Sequence, residues 1–220
     1  RGGKSLVKMV EKEAKMPSIT GGIGVTHIYI DPSADIYKAI PVVLNSKVSK
    51  PSVCNALDTL LINSKILPTF LPLMIKSLSE SNVEIRCDSK SYNEIKKYNY
   101  NNVLKSSKSD WGKEFLDLII SIKCVYSIEE AISHIYNFGS GHTDGIIAES
   151  KNSIKTFVNN IDSAAIMVNA STQFNDGGEF GLGAEVAIST NKYGARGPMG
   201  LENLCSYKWI LTGKGNIRIR

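Results

Sequence analysis

Apolar residues recur along this chain at two alternating spacings. Some stretches repeat an apolar position every three or four residues, as in helices packed on a core, and others are short apolar runs typical of buried strands. The alternation of strands and helices predicts an α/β fold in which helices flank a sheet. The predicted helices are 5–14, 35–44, 65–78, 127–139 and 151–160, and the predicted strands are 27–30, 59–62, 83–87, 118–126, 145–148 and 164–168.

Two segments lack this periodicity. Residues 89–110 are rich in Asn, Lys and Ser and include a Tyr-Asn-Tyr-Asn-Asn tract, which indicates a surface excursion between elements. From residue 169 onward glycine is frequent, as in Asp176-Gly177-Gly178. Glycines permit tight turns and close approach of the backbone to a ligand. They also occur in plain loops, so this segment by itself defines no site.

The composition is that of a globular protein. With 220 residues, of which 42% are hydrophobic and 21% charged, the chain can bury one sizeable core or two small ones. No apolar run is long enough to cross a membrane, and residues 4–12 are too charged for a signal peptide. We therefore expect a cytoplasmic protein without membrane association.

Charge and ligand spacing argue against two further classes. The formal net charge of +5, from 26 basic and 21 acidic residues, is spread along the chain, so no nucleic-acid partner is expected. Four cysteines without a Cys-x-x-Cys pair, together with three histidines, lack the spacing of a structural zinc site. No metal is expected, and the cysteines should stay reduced in the cytosol.

One of the four cysteines stands out as a candidate nucleophile. Cys87 and Cys124 lie inside predicted strands, and Cys205 lies in a segment with a helical pattern. In such elements a cysteine usually packs as a small hydrophobe. Cys54 instead lies in a Pro-containing link between a helix and a strand, with two lysines nearby. Positive charge favours the thiolate, which is the reactive form, so Cys54 is the candidate for covalent catalysis.

Two other interpretations start from glycine and histidine. Gly22-Ile23-Gly24 suggests dinucleotide binding, but His27 occupies the third glycine position and the glycines precede a strand rather than follow one. His142 and Asp144 could serve Cys54 as general base and orienting residue in a cysteine hydrolase. The sequence does not show whether His142 lies near Cys54, so the hydrolase stays an alternative.

Six sequence blocks, spread over nearly the whole chain, carry a family resemblance. They are Ile-Thr-Gly-Gly-Ile-Gly at 19–24, His-Ile-Tyr-Ile-Asp at 27–31, Pro-Ser-Val-Cys-Asn at 51–55, Val-Asn-Ala-Ser-Thr at 168–172, Phe-Gly-Leu-Gly-Ala-Glu-Val at 180–186 and Ala-Arg-Gly-Pro-Met-Gly-Leu at 195–201. In this order the blocks resemble the gamma-glutamyl phosphate reductases, a family of the aldehyde dehydrogenase superfamily. Together they are far more specific than any single motif.

The resemblance implies an enzyme of proline biosynthesis. Such an enzyme uses NADPH to reduce gamma-glutamyl phosphate to glutamate 5-semialdehyde and releases phosphate. Cys54 would attack the acyl phosphate, and the resulting thioester would be reduced by hydride. Oxidising members of the superfamily activate water with a glutamate just before a Gly-Gly pair, whereas residues 17–22 contain no carboxylate. This difference favours a reductase, because the thioester has to be protected from water.

The resemblance also implies roles for individual residues. Glu114, in Lys113-Glu114-Phe115, matches in part a segment whose glutamate holds the nicotinamide ribose, and Arg196 would pair with a substrate carboxylate. The implied set comprises Cys54 as the catalytic residue, Glu114, Gly2 and Gly3 for the cofactor, and Asn55, Asn169 and Arg196 for the substrate.

The family's chain is roughly twice as long as this one, which sets the expected domains. The resemblance implies an aldehyde dehydrogenase-like catalytic domain at 31–175 and an incomplete edge of a Rossmann-like cofactor domain at 1–30. Residues 176–220 would pack back on the active site and the cofactor domain. A homo-oligomer is expected, with glutamate kinase as partner or fusion. A module without catalytic activity is the remaining alternative, since much of the cofactor domain would be absent.

Overall fold

The computed structural model describes residues 4–16, 18, 20–98, 100–192 and 194–219. Its centre is a seven-stranded sheet in the order β4-β3-β5-β2-β1-β6-β7, in which every pair of neighbours is parallel. The strands of this sheet are β1 Thr26–Ile30, β2 Leu57–Asn63, β3 Glu84–Cys87, β4 Val103–Lys105, β5 Ile119–Val125, β6 Thr143–Ile147 and β7 Ala165–Val168. The helices are α1 Lys4–Glu13, α2 Ile36–Val48, α3 Leu67–Glu80, α4 Ser89–Ile95, α5 Ile128–Phe138 and α6 Lys151–Asn160.

Helices cover both faces of the sheet, so the central strands are buried on both sides. Every residue of β1 and β2 is buried, which explains why these strands are continuous apolar runs rather than alternating patterns. Ile28 and Ile30 point to the core under α2, α3 and α4. Tyr29, between them, points to the second core under α5 and α6, because successive side chains of a strand face opposite sides.

Helix ends follow local signals in the sequence. Asp35 caps α2 by accepting hydrogen bonds from the backbone N–H groups of Tyr37 and Lys38. Ser127 caps α5 through the N–H of Glu130, and Gly139 ends that helix. The predicted cap at Ser127 and the predicted bounds of α6 are confirmed.

The interpretation of residues 89–110 as a surface excursion is wrong. The segment contains α4, which buries Ser91 and Ile95, and β4, which pairs with β3 as an edge strand of the sheet. β4 has only three residues, of which Val103 alone is partly buried. An edge strand this short carries too few apolar positions to show a period.

The predicted domain boundary after residue 30 falls between β1 and the strands that pair with it. β1 is hydrogen-bonded to β2 on one side and to β6 on the other. A boundary after Ile30 separates this strand from both neighbours, so residues 26–30 belong with the sheet that follows.

The glycine-rich segment folds back on the body of the protein in its first part only. β8 (Ala187–Ser189) and β9 (Gly197–Met199) form a small antiparallel pair that buries Ile188 and Met199. The N–H of Gly22 donates to the carbonyl of Ile188 at 3.0 Å. Residues 201–219 are exposed throughout. In the described part of the chain, no helix is long and apolar enough to span a membrane.

The packing of α3 gives a direct test of this core. Phe70 is fully buried and Leu73, one turn further on, is 44% exposed. We expect Phe70→Ala to lower the free energy of unfolding by about 3–5 kcal/mol, through lost apolar burial and the cavity left behind. The matched change Leu73→Ala should stay within about 0.5 kcal/mol. Urea unfolding measures both, and equal effects would contradict this placement of α3.

Candidate active site

A cleft of about 600 Å³ lies at the amino-terminal edge of the sheet. Because the strands are parallel, the loops that lead into them meet at one edge. The segments entering β1, β2 and β5 therefore converge, and a fourth segment closes the opposite wall. The lining residues come from 21–23, 50–55, 114–116 and 173–188, with Val7 of α1.

Cys54 is the cysteine that this cleft contains. It lies between α2 and β2, is partly exposed and forms no disulfide. Cys87 and Cys124 are buried in strands, and burial raises the pKa of both thiols, that of Cys124 to about 11. Cys205 is exposed but lies outside the cleft. Cys54 is therefore the one thiol that a molecule in this cleft can reach.

The main chain at Cys54 is held from the β1 side. The hydroxyl of Thr26 donates to the Cys54 carbonyl at 3.3 Å. Gly24 packs so closely on the same peptide that a Cβ at position 24 would lie 1.8 Å from the Cys54 carbonyl oxygen. Only glycine fits there, because any side chain would push the Cys54 loop away.

Asp58 joins the two segments on either side of the Cys54 loop. Its carboxylate accepts the N–H of Thr26 at 3.3 Å and the N–H of Phe115 at 3.0 Å. Burial raises the pKa of Asp58 to about 6, although both hydrogen bonds and the charge of Lys47 oppose the rise. Lys47 is also fully buried, and desolvation lowers its pKa to about 8. The charges of these two buried groups act on each other.

Glu114 reaches the cleft from the segment before β5. One carboxylate oxygen accepts the N–H of Gly24 at 2.9 Å, and the side chain is half-buried. Desolvation raises its pKa, while the hydrogen bond from Gly24 favours the charged form. The structure thus brings together Cys54 and Glu114, which are far apart in sequence.

A buried polar chain leads from the neighbour of Cys54 into the core. Asn55 donates to the backbone carbonyl of Asn175 at 3.1 Å, and the Asn175 amide donates to the Thr143 hydroxyl at 2.7 Å. That hydroxyl lies 2.7 Å from Nδ1 of His142. Asn55 thereby ties the Cys54 loop to the opposite wall of the cleft.

The structure does not place His142 next to Cys54. The ring is fully buried outside the cleft lining, and its Nε2 has no hydrogen-bond partner among the described residues. Burial lowers its pKa to about 4. The Cys54–His142 arrangement expected of a cysteine hydrolase is therefore absent from this part of the chain.

Two predicted substrate residues lie elsewhere. Asn169 follows β7 at the carboxyl-terminal edge of the sheet, opposite the cleft, and both ends of its amide bind the backbone of Ala148 at 2.9 Å. The Arg196 guanidinium donates to the carbonyl and carboxylate oxygens of Asp162 at 2.7 and 2.8 Å, and the residue is not part of the cleft lining. Their predicted contact with substrate thus lacks support in this geometry. Gly2 and Gly3 lie outside the described residues.

Several residues of the site are not found by sequence reasoning. Asn175 and Asp176 come from the glycine-rich segment outside the family blocks, and Glu185 lies within the block 180–186 but has no feature that sets it apart. Asp58 did leave a signal, since it is an acid near the start of the apolar strand Leu57–Asn63. Within the described residues, no group of three or more His, Cys, Asp and Glu could hold a metal ion.

Curated relatives share almost the whole of this chain. The gamma-glutamyl phosphate reductase of Dehalococcoides mccartyi is 48% identical over 218 residues, which are 99% of this chain and 51% of that protein. The chain belongs to the gamma-glutamyl phosphate reductase family. The family member from Roseiflexus castenholzii is 47% identical over 220 residues, which are 99% of this chain and 52% of that protein. The chain therefore spans about half the length of the curated relatives it matches. No family model matches it.

Solved structures agree with the predicted fold. The gamma-glutamyl phosphate reductase from Thermotoga maritima has a TM-score of 0.92 at 43% identity, over 99% of this chain and 51% of that one. An acetylating aldehyde dehydrogenase from Geobacillus thermoglucosidasius has a TM-score of 0.74 at 20% identity, over 100% and 57%. An engineered glycolyl-CoA reductase with bound NADP+ has a TM-score of 0.63 at 15% identity, over 90% of this chain and 52% of that one. The last two show the fold alone, and the aldehyde dehydrogenase-like α/β prediction is confirmed.

The buried His142 predicts a specific loss of stability in acid. Its pKa is about 4 in the folded protein and about 6.5 in an unfolded chain, so between these values the unfolded state binds more protons. Stability is thus lost as pH falls from about 6.5 towards 4. When the pH is lowered from about 7 to about 4.5, the free energy of unfolding should fall by about 2–3 kcal/mol less in His142→Gln than in the parent protein. Urea unfolding at both pH values measures the difference, and identical losses would contradict a buried neutral ring.

Proposed function

We propose that the protein containing this chain reduces gamma-glutamyl phosphate to glutamate 5-semialdehyde with NADPH, releases phosphate, and acts in proline biosynthesis. The observation that carries the proposal is the position of Cys54. It is the thiol of a cleft that also holds Glu114, in a chain 48% identical to curated gamma-glutamyl phosphate reductases. Because the chain spans about half their length, the activity is a proposal for the whole protein.

Cys54 is the proposed nucleophile. Its thiolate attacks the acyl carbon, a carbon–sulfur bond forms, and the carbon–oxygen bond to phosphate breaks so that phosphate leaves with the electron pair. Hydride added to the thioester carbon would give a tetrahedral oxyanion, whose collapse to the aldehyde breaks the carbon–sulfur bond and releases the Cys54 thiolate. Thr26 and Gly24 support this chemistry because they fix the main chain at Cys54.

The proposed cofactor residue is Glu114. A carboxylate has acceptor capacity for several donors, so Glu114 can accept ribose hydroxyls while one oxygen remains on the N–H of Gly24. A bound nicotinamide supplies the hydride. Gly2 and Gly3 are proposed to lie beside the same cofactor. The choice of NADPH rests on the family and on a structural neighbour of the same fold that has NADP+ bound.

Water has to be kept from reacting with the thioester. The segment 17–22, where hydrolytic relatives of this superfamily carry their water-activating glutamate, contains no carboxylate. His142, the alternative base, is buried outside the cleft. Both observations support reduction over hydrolysis of the thioester. Asn55, adjacent to the nucleophile and lining the cleft, is the proposed substrate contact.

The proposed reaction also indicates a cellular setting. Acyl phosphates hydrolyse readily in water, so the substrate is best delivered by a nearby kinase, and glutamate kinase is the proposed partner. We propose a cytoplasmic homo-oligomer as the working form. The cleft, which is lined by Lys50 and three acidic side chains, suits a small polar substrate.

The reverse reaction tests the nucleophile. Glutamate 5-semialdehyde, NADP+ and phosphate are supplied to the chain and to a chimera that adds the part of the Thermotoga maritima enzyme that the match leaves out. We expect phosphate-dependent formation of NADPH, lowered by about three orders of magnitude in Cys54→Ser. Cys205→Ser, at the exposed cysteine outside the cleft, is the matched control and should keep the activity. Activity without phosphate, or activity that survives Cys54→Ser, would rule out the mechanism. If the chimera is active and the chain by itself is not, the chain is a catalytic module that needs the part added in the chimera.

The same assay tests the cofactor residue. Glu114→Gln keeps the size of the side chain but accepts ribose hydroxyls less strongly, so the KM for NADP+ should rise about tenfold. The KM for the semialdehyde should change little. Glu202→Gln, at an exposed glutamate outside the cleft, should change neither constant. An unchanged KM for NADP+ in Glu114→Gln would remove Glu114 from the cofactor site.

A further inference from the structure

The charged side chains around the cleft are unevenly distributed. Among the described residues that line it, three are acidic, namely Glu114, Asp176 and Glu185, and one is basic, namely Lys50. Lys50 belongs to the same loop as Cys54, whereas Asp176 and Glu185 come from the opposite wall. Glu114 is held at Gly24, beside the Cys54 peptide, so the Lys50 ammonium is the cationic contact that the described lining residues offer a bound anion.

The acidic groups are engaged with backbone donors. Glu114 accepts the N–H of Gly24 and Glu185 the N–H of Gly177, both at 2.9 Å, and Asp176 accepts the N–H of Gly178 at 2.7 Å. The ion pairs formed within the described ranges do not include Lys50. Its ammonium group is thus available to a ligand.

The backbone around Lys50 fixes the position from which its side chain extends. It follows Ser49, the C-cap of α2, and precedes Pro51, whose ring restricts the main chain. Four residues later the loop is held at Cys54 by Thr26 and at Asn55 by Asn175. The Lys50 side chain is flexible and exposed, but its attachment relative to Cys54 is set.

The size of the cleft limits how far an anion can lie from this charge. A cavity of 600 Å³ is on the order of 10 Å across. That is about one Debye length in physiological salt, so a charge on its wall acts on any ionic group inside. A lysine ammonium binds phosphate as a point charge and needs no fixed geometry.

We propose that Lys50 binds the phosphoryl group of the substrate and stabilises it as it leaves the acyl carbon attacked by Cys54. The thiolate forms the carbon–sulfur bond, the carbon–oxygen bond breaks, and its electron pair goes to the phosphate oxygen beside the Lys50 ammonium. The departing group is formally a trianion, and it takes up one proton from water to leave as hydrogen phosphate. The identity of the substrate rests on the proposed function, whereas anion binding beside Cys54 rests on the cleft alone.

Alkylation of Cys54 by two reagents tests the charge. Iodoacetamide is neutral and iodoacetate is an anion of similar size, so the ratio of their rates reports the local potential. A Cys205→Ser background removes the exposed competing cysteine, and the other two are buried. We expect Lys50→Gln to lower the iodoacetate-to-iodoacetamide ratio about three- to tenfold, as the loss of one charge in or near the cleft should. Lys50→Arg should keep the ratio. So should Lys65→Gln, at an exposed lysine beyond the carboxyl end of β2.

Inorganic phosphate tests the ligand itself. At constant ionic strength, phosphate should slow the alkylation of Cys54 by iodoacetamide in a saturable way in the Cys205→Ser protein. The same protection is expected in the double variants that combine Cys205→Ser with Lys50→Arg or with Lys65→Gln. With Lys50→Gln the saturation should be lost or should need at least about tenfold more phosphate. An unchanged reagent ratio in Lys50→Gln, equal protection in that variant, or no protection in the Cys205→Ser protein would each overturn the proposal.

The outcome separates this inference from the proposed function. If the chimera makes NADPH but Lys50→Gln leaves the KM for phosphate unchanged, the role of Lys50 is wrong and the reductase stands. If the reverse reaction fails while the reagent ratio and phosphate protection behave as expected, the anion site stands and the reductase does not.

Discussion

Asp58 holds together the segments from which the cleft is made. Asp58 accepts the N–H of Thr26, which begins β1, and the N–H of Phe115, which lies in the segment before β5. The same two segments carry Thr26, which fixes the Cys54 carbonyl, and Glu114, which crosses to Gly24. Burying a carboxylate costs free energy, as its raised pKa shows, and the buried Lys47 offsets part of that cost. Without Asp58, two N–H groups would lose their acceptor, and the buried Lys47 ammonium would lose the attraction of a nearby opposite charge.

The position of the cleft explains why a familiar motif is missing. In open α/β sheets ligands commonly bind at the carboxyl ends of the strands, where glycines follow a strand and precede a helix. Here the glycines of 21–24 precede β1, and the cleft lies at the amino ends. Their use is correspondingly different, because Gly24 makes room for the Cys54 peptide and Gly22 binds the backbone of Ile188.

Much of the fold could be predicted, because long buried strands and capped helices leave local signals. β2, α6 and the Ser127 cap are visible in the sequence, whereas the three-residue β4 is not. The cysteine of the cleft could also be singled out, since two of the other cysteines lie in apolar strands. The rest of the site depends on contacts between distant segments, such as Asn55 with Asn175, which no local pattern encodes. For the same reason Asn169 and Arg196 look suitable in sequence and yet bind Ala148 and Asp162.

The two walls of the cleft differ in mechanical character. The wall with Cys54 is continuous with the central strands and is tied to them through Asp58 and Thr26. The opposite wall belongs to a segment whose small hairpin buries two large apolar side chains, those of Ile188 and Met199. Local opening needs least free energy where few apolar contacts are broken. A molecule that binds in the cleft can therefore enter and leave past the softer wall while Cys54 keeps its position.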